Sequence, residues 1–414
     1  MGLAVGTGPF KSELTPVYGF HADNGTAESA AAGRYTGKIQ LKGMSGRPTQ
    51  RAGVAAGNAT QWFATTPTSL PSFSAICWYT GKELFEWHAG RVPYGLILGA
   101  NGGTAIEVFM PKESVATCPW PVQDCHQNVS EYGSLYEKII GKLGPYRVGA
   151  MIWDQAEADL SCNHTGAQYA CLERALVASW RKGLGGGPDF PAVAVQLPAY
   201  ETDCQTLVRT KGPAWDFCGG PSLLKMRLAQ AAGLADDPLG AVSATYDLSC
   251  PGCPFGSVHN THKVAVGARL ARQLRKLWFN DSAVVVEGPA CHSATLDDAS
   301  GSKVSLHFAH GGGTAPFRFK PTRNCTECCA GGNAVDFDAS VDGRRWINAS
   351  AATVAASGAV ELSFSLGDAR DRAAARLRYV RYTAAATFPQ CALYNSEGLP
   401  ALPFALPVEQ EYQV

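Results

Sequence analysis

The chain has 414 residues, 46% of them hydrophobic and 17% charged, with 35 Lys and Arg balancing 35 Asp and Glu. That length exceeds one simple core and fits about two or three domains. Zero formal charge leaves no electrostatic footprint for nucleic acid or an anionic membrane, and no apolar run is long enough to span a bilayer.

Residues 1–70 are rich in Gly, Ala, Ser and Thr with weak periodicity, and only a short helix at Ala27–Arg34 is predicted there. Met1–Lys11 lacks the basic-then-apolar pattern of a secretory leader. Ile76, Tyr79, Leu84 and Trp87 recur at near-helical spacing, which predicts a helix over Ser74–Trp87. Tyr94–Ala100 follows as an apolar strand ending at Asn101-Gly102-Gly103-Thr104. After a Cys- and Pro-bearing insertion, Cys118–Ser130, the order continues with a helix at Leu135–Leu143 and a strand at Val148–Trp153. A helix at Ala170–Lys182, a strand at Ala192–Leu197 and a helix at Ser222–Ala232 come next. A strand at Ala241–Tyr246 and a helix at His262–Trp278 complete the series. Strands alternating with helices imply βαβ units and a parallel sheet covered on both faces. On the last helix Leu270, Leu274 and Leu277 are expected in the core, and Arg269, Arg272, Arg275 and Lys276 on a solvated face. Beyond about Asn280 the pattern becomes short strands separated by Gly, Ser and Cys. They are Val284–Glu287, Lys303–Phe308, Phe317–Lys320, Ala334–Phe337, Val360–Phe364 and Leu377–Tyr382. These predict a separate antiparallel β domain, with Pro389–Pro407 as an ordered tail on the surface. The expected domains are therefore 1–280 and 281–414.

Fourteen cysteines are many for a reducing cytosol. Asn24, Asn58, Asn128, Asn163, Asn280, Asn324 and Asn348 each open an Asn-x-Ser/Thr sequon. Together these features point to the secretory route. Cys250-x-x-Cys253 and Cys325-x-x-Cys328-Cys329 could suggest zinc, but ligand-spaced histidines are lacking beside the second cluster. Disulfides are the expectation, with pairing open.

Three segments end where one cleft could form. Asn101–Thr104 follows a strand, and paired glycines let backbone N–H groups approach a ligand closely, as an oxyanion site requires. Val148–Trp153 stops abruptly in Asp154, Gln155, Glu157 and Asp159, and ligands of open α/β sheets bind outside the carboxyl ends of strands. The third segment, Pro254–His262, carries His259 just before a helix, a position open to a general base. Asp154, Glu157 and Asp159 could also suggest a glycoside hydrolase. That chemistry needs two carboxyls opposed across the bond at ~5–9.5 Å, and three on one short loop do not establish opposition.

This combination resembles the sialate O-acetylesterases, among the SGNH-type serine hydrolases. The likeness runs through FSAICWYTGKEL (73–84), YGLILGANGGTAIEVF (94–109), MIWDQAEAD (151–159), PAVAVQL (191–197), YDLSCPGCPFGSVH (246–259), RLRYVRY (376–382) and FPQCALYNSEGLPALPF (388–404), in order. The resemblance implies a three-layer, doubly wound parallel α/β sheet followed by a smaller antiparallel β domain. It implies hydrolysis of O-acetyl groups on sialic acids or related sugars, without cofactor or metal. By position His259 would be the base and Gln155 an oxyanion donor. Glu157 would line or orient the site, and Gly102 and Gly103 would supply a backbone N–H. Ala156 replaces the glycine of the family's Gln-Gly-Glu. The acid beside His259 falls to Asp247 or Glu157, because Gly256 and Ser257 stand where relatives carry Asp. The family's Gly-Gln-Ser-Asn-Met is absent. Its best positional match is Phe10-Lys11-Ser12-Glu13-Leu14, so Ser12 is the candidate nucleophile. A lost front end, or a catalytically inactive glycan-binding homologue, would account for that departure. If one cleft exists, His259, Gln155 and Gly102–Thr104 should meet within about 10 Å.

Overall fold

The computed structural model describes residues 2–6, 25–43, 61–119, 131–143, 146–161, 166–184, 189–199, 220–249, 253, 259–297, 301–309, 317–322, 336–366, 376–384 and 389–410. Their contacts divide the chain into two units. The first takes residues 1–197, 229–243 and 253–284, and the second takes 198–228, 244–252 and 285–414.

The first unit is built on one sheet. Its strands are Gly2–Gly6 (β1), Ile39–Gly43 (β2), Phe63–Ala64 (β3), Tyr94–Leu98 (β4), Met151–Asp154 (β5), Ala192–Val195 (β6) and Gly240–Ser243 (β7), in the order β3-β2-β4-β1-β5-β6-β7. All neighbours pair in parallel except β2 with β3. The weak periodicity before residue 70 concealed β1, which lies in the middle of the sheet, between β4 and β5. Its last residue, Gly6, is in register with Asp154.

Helices are Gly25–Ala31 (α1), Ala75–Trp87 (α2), Lys112–Val115 (α3), Ser134–Leu143 (α4), Glu157–Ser161 (α5), Gly166–Gly183 (α6), Gly220–Leu234 (α7) and Lys263–Phe279 (α8). Ser74 caps α2 by accepting from the Cys77 N–H at 3.3 Å. Successive side chains of β5 point to opposite faces, and both faces are covered. Ile152 lines a small apolar gap with Thr80 of α2, Leu96 of β4 and Leu274 of α8. Trp153 meets Phe109 and Trp180 of α6 edge to face, at 5.2 and 6.4 Å. The buried Trp180 indole then donates to the Phe109 carbonyl at 2.7 Å. A disulfide joins Cys118, beyond α3, to Cys171 in α6. Leu270 and Leu274 are buried as expected, but Arg269 is also only 9% exposed, so the solvated face of α8 is narrower than its sequence suggests. No helix among the described residues is long and apolar enough to cross a membrane.

The second unit carries an eight-stranded sheet and a two-stranded one. Its strands are Ala290–Leu296 (β8), Lys303–Ala309 (β9), Arg318–Pro321 (β10), Phe337–Ser340 (β11), Ile347–Val354 (β12), Val360–Phe364 (β13), Tyr379–Tyr382 (β14), Cys391–Tyr394 (β15), Phe404–Pro407 (β16) and Glu409–Gln410 (β17). The large sheet runs β16-β14-β11-β12-β13-β9-β8-β17, and β10 pairs with β15. Only β17 with β8 is parallel. The sequence reading needs two corrections. Val284–Glu287 forms no strand, and the first strand of this unit starts at Ala290. Pro389–Pro407 is not a surface tail: β15 is buried at every position, and Leu393 takes the Tyr382 hydroxyl as acceptor for its N–H at 3.1 Å. Prolines at the ends of these strands obscured two short apolar runs. The core is aromatic, with Phe337 stacked on Tyr382 at 4.4 Å and Phe404 beside both.

Helices α2 and α8 approach closely because Gly267 has no side chain. A Cβ there would lie 2.5 Å from the Tyr79 Cβ and 2.9 Å from the Thr80 nitrogen. Gly267→Ala should therefore push the helices apart and lower unfolding free energy by ~1–3 kcal/mol, as overpacking does, measured by denaturant titration.

Candidate active site

The site is built where β5 ends. Gln155, 4% exposed, sits directly after the strand and reaches sideways. Its Nε2 donates to the Thr104 carbonyl at 2.9 Å and, in a very short contact, to Asp159 Oδ2. Its Oε1 accepts from the Tyr169 hydroxyl at 3.0 Å. The Tyr169 oxygen in turn accepts from the Trp153 indole at 3.3 Å. The Gln155 backbone carbonyl takes Gln230 Nε2 at 3.3 Å. A primary amide has two N–H donors, and here both are committed to the fold.

The glycine turn is thereby tied to β5. Thr104 closes it by donating Oγ1 to the Asn101 carbonyl at 2.6 Å. Gly103, at φ +63°, adopts a conformation costly for a side-chain-bearing residue, which explains the glycine. Gly102 is half-buried and Gly103 exposed, so the turn presents backbone at the surface. Just beyond, the Ile106 N–H donates to Asp159 Oδ2 at 3.2 Å. Asp159, fully buried, thus holds both loops. Sequence reasoning placed Asp159 among the acids, but gave no role to Tyr169 or Gln230. They lie on helices 14 and 75 residues from Gln155, and no local pattern marks such partners.

Three further carboxyls surround this clamp. Burial pushes Asp154 up, opposed by the Lys263 ammonium at the start of α8. Glu157 has a buried Oε2. Burial first, and then the charge of Asp154, raise its carboxyl to about 8. Glu173 of α6 is buried, and its carboxyl stands well above the usual range because of that burial and of Asp159. With its carboxyl near 8, Glu157 is mainly protonated at neutral pH.

His259 is half-buried and lies four residues before Lys263. Lys263 acts electrostatically on both Asp154 and Glu157, so the segment carrying His259 enters α8 at the end of β5. Asp247, the other acid considered for His259, belongs to the second unit and accepts from the Tyr394 hydroxyl there at 2.9 Å. Ser12 lies outside the described residues. Cys253 is disulfide-bonded, and no cluster of three or more metal-ligating side chains occurs among the described residues.

Ala156 departs from ordinary geometry. It is fully buried at φ +125°, a region that favours glycine.

Residues 68–238 match the model of the family described as carbohydrate esterase, sialic acid-specific acetylesterase. Over those residues the chain is similar to this family. Among curated relatives, a sialate O-acetylesterase of Pongo abelii is 26% identical over 376 residues, covering 83% of this chain and 64% of that protein. The Homo sapiens sialate O-acetylesterase is 26% identical over 367 residues with the same coverage. The chain thus spans 64% of the length of these relatives. Among solved structures, a carbohydrate acetylesterase from Xanthomonas citri shares the fold at a TM-score of 0.69. It is 22% identical, with 98% of this chain and 80% of that one covered.

Two outcomes follow from this geometry. Ala156→Gly should relieve the positive-φ strain and raise unfolding free energy by ~1 kcal/mol, the strain of ~1–3 kcal/mol less the added freedom of the unfolded chain, read as a higher denaturation midpoint. The second concerns pH. The Glu157 carboxyl ionises near 4.5 when unfolded and near 8 when folded. Its protonated form therefore contributes stability fully below pH 4.5, and that contribution is lost as pH rises toward 8. Glu157→Gln should flatten this slope, gaining on the parent protein between pH 4.5 and pH 8 by on the order of 1–3 kcal/mol, measured by thermal unfolding across that window. Parallel pH profiles for the two proteins would refute the assignment.

Proposed function

We propose that the protein is a carboxylic ester hydrolase that removes O-acetyl groups from sialic acids or related sugars, and that it works in the secretory pathway. The observation that carries this reading is the meeting of the Asn101–Thr104 turn with Gln155 through the Gln155–Thr104 hydrogen bond, within a chain that matches an acetylesterase family. These are two of the three segments the chemistry needs, and the third enters α8 beside Asp154 and Glu157.

Strand order supports the doubly wound, three-layer SGNH-type arrangement. With β2 and β3 set aside as an outer extension, β4-β1-β5-β6-β7 follows the 2-1-3-4-5 order of open α/β sheets, whose ligands lie at the switch point beyond the carboxyl ends of the first and third strands. Here that point lies beyond Gly6 and Asp154. Ser12 comes six residues after Gly6 in the sequence.

In this mechanism Ser12 attacks the acetyl carbonyl and His259 takes its proton, then returns a proton to the departing sugar hydroxyl. Water releases acetate from the acyl-enzyme with His259 again as base. Backbone N–H groups at Gly102 and Gly103 stabilise the oxyanion, each such donor being worth ~3 kcal/mol of barrier. Gln155 is a positioning residue rather than an oxyanion donor, since its N–H groups hold Thr104 and Asp159. Protonated Glu157 borders the pocket.

A second reading is a glycan-binding homologue without catalysis. Ala156, strained where relatives have glycine, and the altered neighbours of Ser12 favour it.

Hydrolysis of an acetate ester and of O-acetylated sialic acid separates the readings. Activity should fall on the order of 10⁴-fold in Ser12→Ala and at least ~100-fold in His259→Ala. Retained binding of the sialic acid without turnover in the parent protein would favour the silent homologue, and activity that survives His259→Ala would sink the assigned base.

A further inference from the structure

We propose that Asn280 carries an N-linked glycan and that its first N-acetylglucosamine covers the aromatic patch formed by Trp87 and Phe279. The proposal rests on the secretory-pathway reading and adds a function for one particular sequon.

The patch needs a cover. Among the described residues only Trp87, Val92 and Tyr379 are large hydrophobics left exposed, and Trp87 and Val92, each 39% exposed, come from one stretch of the first unit. Trp87 ends α2, and Phe279 ends α8. Their ring centroids are 5.3 Å apart, with His88 4.4 Å from Trp87 and 4.8 Å from Phe279, and Trp278 stacked on Phe279 at 4.7 Å. A contiguous aromatic surface of this kind ordinarily marks something that binds to it.

The covalent neighbour of that surface is a glycan acceptor. Asn280 follows Phe279 directly, is exposed, and ends α8 in the left-handed conformation with φ +55°. The sequon is wired to the patch through its own middle residue. Asp281 Oδ2 holds Arg275 Nη2 at 2.6 Å and Nε at 3.0 Å, and the Arg275 guanidinium lies 5.0 Å from the Trp87 ring centre. This pairing keeps the Asp281 carboxyl below its ordinary range. The indole is thus held in place one side chain away from the attachment point. Asn280 is the chain neighbour of Phe279, so a sugar on its side chain starts beside these rings.

The attachment is an ordinary group transfer. The bond from C1 of the sugar to Nδ2 of Asn280 forms, and the bond from C1 to the phosphate oxygen of a polyprenyl-pyrophosphate oligosaccharide donor breaks. The pyrophosphate leaves with the electron pair, and the amide loses one proton.

The test is expression of the whole chain through a eukaryotic secretory pathway, alongside Ser282→Ala, which keeps Asn280 but destroys its sequon. Glycopeptide mass spectrometry reads occupancy at Asn280 and at Asn348, an exposed sequon in the second unit. Hydroxyl-radical labelling reads the accessibility of Trp87. Asn280 should be occupied, and Trp87 labelling should rise about twofold in Ser282→Ala, as expected when one aromatic face is uncovered. Asn348→Gln should leave Trp87 labelling unchanged. Occupancy at Asn348 but not Asn280 overturns the proposal alone. Occupancy at neither removes the secretory reading and the proposal with it. Equal Trp87 labelling with and without the Asn280 glycan overturns the covering role.

Discussion

A single buried amide holds the end of β5 in working shape. Gln155 spends one N–H on the Thr104 carbonyl, the other on Asp159, and its oxygen on Tyr169. Each bond ties a different element, so the glycine turn, the start of α5 and helix α6 are located by one side chain. A buried network of this kind fixes geometry well only when every member is satisfied, and the Asp159 carboxylate completes it by also taking the Ile106 N–H. A turn of two glycines, one of them exposed, would otherwise have little to fix its backbone.

The acids around this clamp change its electrostatic character. A loop bearing Asp154, Glu157 and Asp159, with Glu173 close by, looks strongly negative in sequence. Burial makes part of it neutral, because desolvation of a carboxylate costs more than Lys263 returns. Asp159 accepts hydrogen bonds from Gln155 and from the Ile106 N–H. The end of β5 is therefore less negative than its composition implies.

The helices were legible because periodicity and caps are local. Ser74, Ile76, Tyr79, Leu84 and Trp87 announce α2 almost to the residue. The apolar run ending at Asp154 likewise marked β5 and the wall beyond it, although the paired strand begins only at Met151. β1 was not legible: Gly-Leu-Ala-Val-Gly is too short and too rich in glycine to read as a strand, and only its pairing with two distant strands gives it one. β15 and β16 were hidden for the opposite reason, since their prolines suggest a tail while their burial depends on partners far along the chain. At the site, Gln155 and the glycine turn stood out as motifs. Their joining, and the roles of Tyr169 and Gln230, are matters of tertiary contact.

The position of β1 bears on how the chain acquires its structure. Residues 2–6 pair with residues 96–98 on one side and 151–154 on the other, so the centre of the sheet closes only once residue 154 is available. Contacts this remote in sequence make folding slow, because ordering entropy is lost well before they form. During synthesis the emerging segment must wait with both of its hydrogen-bonding edges open, a state prone to wrong pairing.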